Sequence, residues 1–389
     1  MQQIGILGSG AMGAGIAQVA ATAGCEVVIF DAFEGALIKG RNLIETNLNR
    51  LVERKKIDDV TAKIIFGRIK FCDSLDAFTD CELVIEAIVE DLGLKKTSFQ
   101  QLESVVNQNC ILASNTSSLP LTAIAAACKN PNRVVGIHFF NPAPIMELVE
   151  IIPAIQTDKL IVTKVKNVIQ NWGKIVVEAR DTPGFLVNRI ARPFYGEAMR
   201  ILEEDIADCT TIDWAMTEFG NFKMGPFALM DFIGHDVNYR VTESVFSAFY
   251  FDPRYRPSLT QKSLLDAGWL GRKSGKGFYN YAENVTKIEP NKNPEIGKKI
   301  FLRILSMLIN EAADALFLKI ATAEDIELAM QKGTNYPKGL LHWADELGLP
   351  NCVELLNNQY IEYGEDRYRC SPLLRRMAKD NKTFFPKNV

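Results

Sequence analysis

A chain of 389 residues is longer than one ordinary hydrophobic core, so two or three domains are expected. Hydrophobic residues make up 47% and charged residues 23%, a balance that excludes wholesale disorder. The 44 basic residues against 47 acidic ones leave a net charge of −3, so no global basic field would recruit nucleic acid or an anionic membrane.

The N-terminal "MQQIGILGSG" enters a strand at once, without the basic segment and cleavage site of a signal peptide, and no run of about 18 apolar residues marks a membrane span. The strand "QIGIL" (3–7) is followed by "GSGAMGAG", a helical stretch ending on Gly24, and a second buried strand, "EVVIFD", closing on Asp31. This is the β-turn-α-β unit of a parallel sheet. Gly8, Gly10 and Gly13, with Ala11 and Met12 between them, form G-x-G-x-x-G between strand and helix. The first glycine allows the turn, the second lets a pyrophosphate approach, and the third lets helix and strand pack. Asp31, 18 positions beyond Gly13, suits the adenine ribose hydroxyls and would repel a 2′-phosphate. The expected cofactor is NAD. A Gly-rich turn beside a solvated aspartate is the bland alternative.

Residues 34–56 carry apolar residues at helical spacing and end in "RLVERKK", either a solvated helix end or a site for phosphates. Further buried strands are expected in 81–88, 110–114 and 133–139, with helical segments between them. "SNTSSL" (114–119) follows one such strand end, where ligands of a doubly wound sheet sit. Ser118 is expected to cap the next helix, and Ser117 is the functional candidate.

The chain has three histidines, His138, His235 and His342. His138 closes a strand and begins "HFFNPAPIMELVE", which ends on Glu150. Pro142 and Pro144 suit a turn that folds the glutamate back on the imidazole. An imidazole titrates near neutrality and can accept a hydroxyl proton, and a carboxylate on its other ring nitrogen would fix the tautomer. A core histidine is the alternative for such a residue standing alone. No metal-ligand spacing and no Ser-His-Asp arrangement is evident. The eight cysteines show no CxxC pattern and read as free thiols of a reducing compartment, hence a cytoplasmic protein.

After "DTPGFLVNRI" (181–190) the periodicity turns helical. Residues 189–234 align with 303–348 at a constant offset of 114, with 14 identities in 46 positions. "RYRPS" (254–258) then matches "RYRCS" (367–371). The expected organisation is an α/β Rossmann-like doubly wound sheet in 1–182, a helical domain in 183–281, a linker in 282–297 and a second helical repeat in 298–389. The repeat is expected to pack on the first copy as an internal pseudo-dimer, with further homo-oligomer formation through other surfaces left open. Asn188, placed one turn into a long helix, corresponds to Leu302, so the second copy lacks this polar group.

Together, "GSGAMGAGIA", "EAIVEDLGLKK", "SNTSSL", "HFFNPAPIMELVE", "DTPGFLVNR", "MGPFALMDFIG" and "GRKSGKGFY" resemble the 3-hydroxyacyl-CoA dehydrogenase family, including its 3-hydroxybutyryl-CoA members. The resemblance covers almost the whole chain. It implies an NAD-dependent oxidoreductase of fatty acid or short-chain acyl-CoA metabolism (β-oxidation), taking (S)-3-hydroxyacyl-CoA to 3-oxoacyl-CoA. On it, His138 is the base, Glu150 its partner, and Ser117 and Asn188 hold the substrate near the nicotinamide. Asp31, Glu90, Lys95, Ser117, Asn141 and Lys273 contact the cofactor beside the glycines. Asn47, where the family has a small hydroxyl residue, and Arg54 meet coenzyme A. Two other readings remain: a Rossmann dehydrogenase of a hydroxy acid or sugar acid, against which "HFFNP" and the basic second helix speak, and an inactive NAD-binding structural relative, which absence of turnover would establish.

Overall fold

The computed structural model describes residues 1–283, 286 and 288–386. The chain divides into two compact units, Met1–Thr182 and Pro183–Val389.

The first unit runs β1 (Gln3–Leu7), α1 (Ala11–Thr22), β2 (Glu26–Phe30), α2 (Glu34–Glu53), α3 (Asp59–Gly67), β3 (Ile69–Cys72), β4 (Leu83–Glu86), α4 (Leu92–Val105), β5 (Ile111–Ser114), α5 (Leu121–Ala125), β6 (Val134–Phe139), β7 (Leu148–Pro153), α6 (Lys159–Asn171) and β8 (Ile175–Glu178). The strands form one sheet in the order β3-β2-β1-β4-β5-β6-β7-β8, parallel except where β7 meets β6. Ile4, Ile6, Val27, Ile29, Leu83, Ile85, Ile111 and Ile137 are fully buried, as strands covered by helices on both faces require. The strand order reverses direction between β1 and β4, and the C-terminal ends of β1, β4, β5 and β6 lie along one edge. Such a switch point opens a crevice for ligands.

Capping sets the helix starts. Asp58 accepts from the Thr61 N–H ahead of α3, and Asp91 from the Leu94 N–H ahead of α4. The expected cap by Ser118 is not made. Ser118 donates its hydroxyl to Glu90, and Asp181 accepts from the Leu121 and Thr122 N–H groups at the start of α5. A carboxylate from another loop competes successfully for the serine, and a more distant one takes over the helix end.

The second unit is helical: α7 (Val187–Ile190), α8 (Arg192–Glu203), α9 (Cys209–Gly220), α10 (Pro226–Ile233), α11 (His235–Ala248), α12 (Leu259–Asp266), α13 (Pro294–Phe317), α14 (Ala323–Gly333), α15 (Leu340–Leu347), α16 (Leu349–Tyr363) and α17 (Pro372–Lys379). Asn188 therefore sits in a single-turn helix rather than a long one. Pro193 has no N–H to give the Arg189 carbonyl, so α7 and α8 separate there. At the corresponding position, 114 residues on, Met307 lets α13 run unbroken. The segment 282–297, read as a linker, falls partly outside the described residues. Its last four residues are already helical, because the Asn293 side chain accepts from the Glu295 and Ile296 N–H groups and Pro294 suits the first turn.

Polar contacts recur at the repeat spacing. Arg189 Nε donates to Glu311 at 2.6 Å, and Arg303 Nε to Glu197 at 2.7 Å. Tyr255 gives its hydroxyl to Glu311 and Tyr368 gives its own to Glu197, each at 2.5 Å. Asp213 accepts from the Phe227 and Ala228 N–H groups, as Glu327 does from those of Leu341 and His342. Asn221 and Asn335 each take the left-handed conformation after a helix, at φ 54° and 56°.

Candidate active site

The glycine turn leaves β1 with Gly8 at φ 102°, and the Gly8 N–H is held by the Phe30 carbonyl. A Cβ on Gly13 would stand 1.9 Å from the Gly8 carbonyl oxygen, so the helix approaches the turn too closely for any side chain. At Gly10 a Cβ would meet nothing within 4 Å. The backbone there lies open at the N-terminus of α1, where the helix dipole favours an anion. Asp31 follows β2 and its carboxylate accepts from the Ser9 N–H (2.7 Å) and hydroxyl (2.9 Å). These residues fit a dinucleotide: open ground for the pyrophosphate, and a carboxylate beyond the second strand.

Next along the edge, Glu86 closes β4 fully buried. It takes the Lys95 ammonium at 2.5 Å and the Ser114 hydroxyl at 2.6 Å. Glu90 accepts from the Thr116 hydroxyl, from the Ser117 and Ser118 N–H groups and from both serine hydroxyls, with Lys95 3.3 Å away. Burial pushes the Glu90 carboxyl up, but Lys95 and the hydroxyl and amide donors outweigh it and hold it below its ordinary value. The "SNTSS" loop is thereby wound around one carboxylate. Lys95 is 1% exposed and its charge is engaged by Glu86 and Glu90.

The antiparallel register of β6 and β7 places His138 directly opposite Glu150. Nδ1 of the imidazole lies 2.7 Å from Glu150 Oε2, with His138 5% exposed and Glu150 fully buried. With the Nδ1 proton directed to the carboxylate, Nε2 carries the lone pair. The Phe140 ring tilts against the imidazole at 4.5 Å. Asn115 Oδ1 accepts from the Phe139 N–H at 2.8 Å, which ties the serine loop to the histidine strand. Asn141 is exposed in the β6–β7 connection. That connection is anchored by Lys174, whose ammonium donates to the Ala143 and Met146 carbonyls at 2.7 and 2.8 Å. Burial lowers the Lys174 pKa, and Glu147 partly offsets it.

Asn47 is half-buried on α2 and Arg54 is exposed at its end. Asn188 and Lys273 belong to the second unit. The Asn188 carbonyl accepts from Arg192 Nε, and the Lys273 ammonium pairs with Asp236. Glu86 and Lys174 were not singled out from sequence. Glu86 had one visible sign, an acid closing an otherwise apolar strand, whereas nothing in the spacing joins Lys174 to carbonyls about thirty residues earlier. Among the described residues no cluster of three or more His, Cys, Asp or Glu is placed to hold a metal, and no helix is long and apolar enough to cross a membrane.

A glycine turn at a switch point is the dinucleotide site of doubly wound dehydrogenases, and the imidazole–carboxylate pair further along the same edge supplies a proton acceptor. Comparison narrows the class. The family model described as "3-hydroxyacyl-CoA dehydrogenase, NAD binding domain" matches residues 3–182, and "3-hydroxyacyl-CoA dehydrogenase, C-terminal domain" matches 184–281 and again 300–384. The chain belongs to the 3-hydroxyacyl-CoA dehydrogenase family, and its first unit is that family's NAD-binding domain. It is 36% identical to 3-hydroxyadipyl-CoA dehydrogenase of Escherichia coli (strain K12), over 97% of this chain and 98% of that protein. It is 42% identical to a probable 3-hydroxybutyryl-CoA dehydrogenase of Deinococcus radiodurans, over 72% of this chain and 100% of that protein. The crystal structure of 3-hydroxybutyryl-CoA dehydrogenase from Escherichia coli K12 superposes with a TM-score of 0.90 at 36% identity, covering 97% of this chain and 98% of that one.

Proposed function

We propose that the protein oxidises (S)-3-hydroxyacyl-CoA to 3-oxoacyl-CoA, reversibly, in fatty acid or short-chain acyl-CoA metabolism. The observation that carries this reading is the 2.7 Å contact between His138 Nδ1 and Glu150, on the sheet edge that bears the glycine turn. NAD, when bound, would supply the acceptor for the C3 hydride. Gly8, Gly10, Ala11, Met12 and Gly13 receive its pyrophosphate, and Asp31 its adenine ribose. Glu90, Lys95, Asn141 and Lys273 complete the cofactor contacts, with Lys95 acting through Glu90.

His138 Nε2 accepts the 3-hydroxyl proton as the carbonyl forms, and in reverse the imidazolium returns it to the alkoxide oxygen. Glu150 balances the positive charge that appears on the ring. Ser117 and Asn188 orient the substrate, and Asn47 and Arg54 meet coenzyme A. The helical repeats act as an internal pseudo-dimer with one active site per chain. The recurring ion pairs and the twofold match of the C-terminal family model support this. All eight cysteines are free thiols, in keeping with a cytoplasmic location. The relatives' names include both 3-hydroxyadipyl-CoA and 3-hydroxybutyryl-CoA, so a chain with a second carboxylate and one without are both candidate substrates.

The test is NADH consumption against a panel of 3-oxoacyl-CoA thioesters, with His138→Ala beside the wild type. Loss of a general base lowers turnover by about 10²–10⁴-fold. Wild-type turnover in the variant removes His138 from this role, and silence across the panel removes the reaction.

A further inference from the structure

Within the second unit lies a cavity of about 1010 Å³ whose walls include Gly196, Arg200, Arg256, Ser258 and Arg367. The internal repeat shows why it is open. Gly196 and Arg200 on α8 correspond to Asn310 and Asp314 on α13, and Arg256 and Ser258 correspond to Arg369 and Ser371. The buried Asn310 side chain accepts from the Ser371 N–H at 2.7 Å and donates to the Arg369 carbonyl at 3.0 Å. Gly196 has no side chain to do the same. Among the described residues the Ser258 N–H is left without a hydrogen-bond partner.

Four residues further along the helix an acid is exchanged for a base. Asp314 accepts from Arg254 at 3.0 Å and from Arg189 at 3.3 Å. In its place Arg200 makes no hydrogen bond among the described residues, and its one ion pair, to Glu197, spans 4.0 Å. Arg367, the counterpart of Arg254, is 4% exposed and keeps a buried Nε–H without a partner. Glu204 pairs with Arg303 at 2.7 Å but stands 3.9 Å from Arg367. Glu365 meets Arg367 and Arg256 only at 3.4 and 3.5 Å. Burial depresses the Arg200 pKa, Glu197 partly offsets this, and Arg367 adds to it. The seam at Asp314 sets Arg189 and Arg254 against Asp252, Glu311 and Asp314. The seam at Arg200 sets Arg200, Arg303 and Arg367 against Glu197, Glu204 and Glu365, so it is one negative charge poorer for a cavity beside it.

We propose that this cavity binds a monocarboxylate with an apolar body, its carboxylate taken by Arg200 and the Ser258 N–H. The ligand supplies the charge and the acceptor that Asp314 and Asn310 supply in the other copy. A guanidinium with open donors and an unpaired amide suit a carboxylate. Tyr239, Phe246, Phe251 and Leu259 also line the cavity, with Phe251 65% and Leu259 82% exposed, which gives an apolar body a surface to cover. Glu203 and Glu243 belong to the same walls, and the Ser258 and Thr260 hydroxyls hold Glu203. Those acids would repel a polyphosphate, whereas a single negative charge is matched by Arg200. The whole site lies in the second unit and stands apart from the reaction at His138.

Titration calorimetry on the full chain tests it, with octanoate as the probe and octanamide as its uncharged match. The wild type should bind octanoate saturably with a Kd below about 1 mM, and octanamide at least about tenfold more weakly, as the loss of a hydrogen bond between charged groups implies. Arg200→Asp and Gly196→Asn install the residues of the other copy, where the same helix packing is already closed. A Cβ on Gly196 would stand 3.1 Å from Arg200 Nη1, the movable end of a long side chain. Each variant should lower octanoate affinity by at least about tenfold. Octanoate should raise the Tm of the wild type and leave that of Arg200→Asp unmoved. Equal binding of acid and amide, no saturable octanoate binding below about 1 mM, or displacement of octanoate by an equal concentration of inorganic phosphate overturns the site. So does octanoate affinity unchanged in Arg200→Asp, which would place the probe elsewhere on the chain. The wild-type comparison decides even if a variant misfolds.

Discussion

Arg189 and Arg303 stand 114 residues apart, and each donates Nε–H to a glutamate of the opposite helical copy, Glu311 and Glu197 respectively. Both glutamates are buried, and each also receives a tyrosine hydroxyl. The seam between the copies thus contains two charged clusters that a half-chain lacks.

Glu311→Gln should expose the cost of that arrangement. Removing one member of a buried ion pair destabilises by about 3–5 kcal/mol, because the remaining charge is left uncompensated. Burial raises the Glu311 pKa, but Arg189 and Arg254 outweigh it and hold the carboxyl below its ordinary value. A carboxyl depressed in the folded state lends stability above its unfolded pKa of about 4.3, and that stability drains away as pH falls through the folded value. Urea titrations of wild type and variant should therefore differ most near neutrality and converge in acid. Parallel curves across pH 3–7 would contradict this assignment.

Glu150→Gln keeps a hydrogen-bond acceptor near His138 Nδ1 and removes the charge. The carboxylate balances the imidazolium only once the proton has moved, so the variant should lose mainly kcat, with NADH affinity nearly kept. Stopped-flow turnover beside equilibrium NADH titration separates the two. A variant defective in NADH binding alone would move Glu150 out of the proton transfer.

Asp31 holds the glycine turn through the Ser9 N–H and hydroxyl, and it is also the proposed contact to the adenine ribose. Asp31→Ala should weaken NADH and narrow its advantage over NADPH, since the repulsion of a 2′-phosphate is gone. Equal use of the two cofactors by the wild type would show that the carboxylate serves the turn alone.

Local pattern carried much of this in advance. The glycine spacing, Asp31 at a strand end and the two prolines between His138 and Glu150 are near neighbours in sequence, and a hairpin register follows from alternation. The repeat was legible because fold-bearing groups such as Glu197, Asn221 and Asp231 recur at one offset. What escaped was non-local. The Glu86–Lys95–Ser114 cluster and the Lys174 anchor depend on which strands and helices become neighbours, and no spacing encodes that. The Ser118 cap failed for the same reason: Glu90 and Asp181 compete from other elements. Pro193 is a local signal: its missing N–H is the break that shortens α7.

A chain ending at Tyr281 tests the role of the second copy. The full chain sets Phe222 against Tyr336 and Trp343 at ring distances of 5.0 and 5.7 Å, and Phe194 against Tyr336 at 5.8 Å. Truncation would bare that aromatic face together with α8 and α9, and would leave Arg189 without Glu311. Obligate interfaces of this kind bury on the order of 2,000 Å² or more, so the exposed surface is too large and apolar for a stable monomer. The truncated chain should pair with a copy of itself, which restores a twofold seam, or aggregate. In a self-paired form Arg189 would meet Glu197 of the partner subunit, the counterpart of Glu311, so pairing should be weakened by Glu197→Gln. Light scattering across a dilution series reads the mass, and the same substitution in the truncated chain reads the seam. A truncated chain that stays monomeric, soluble and fully active would make the second copy an appendage and dissolve the internal pseudo-dimer.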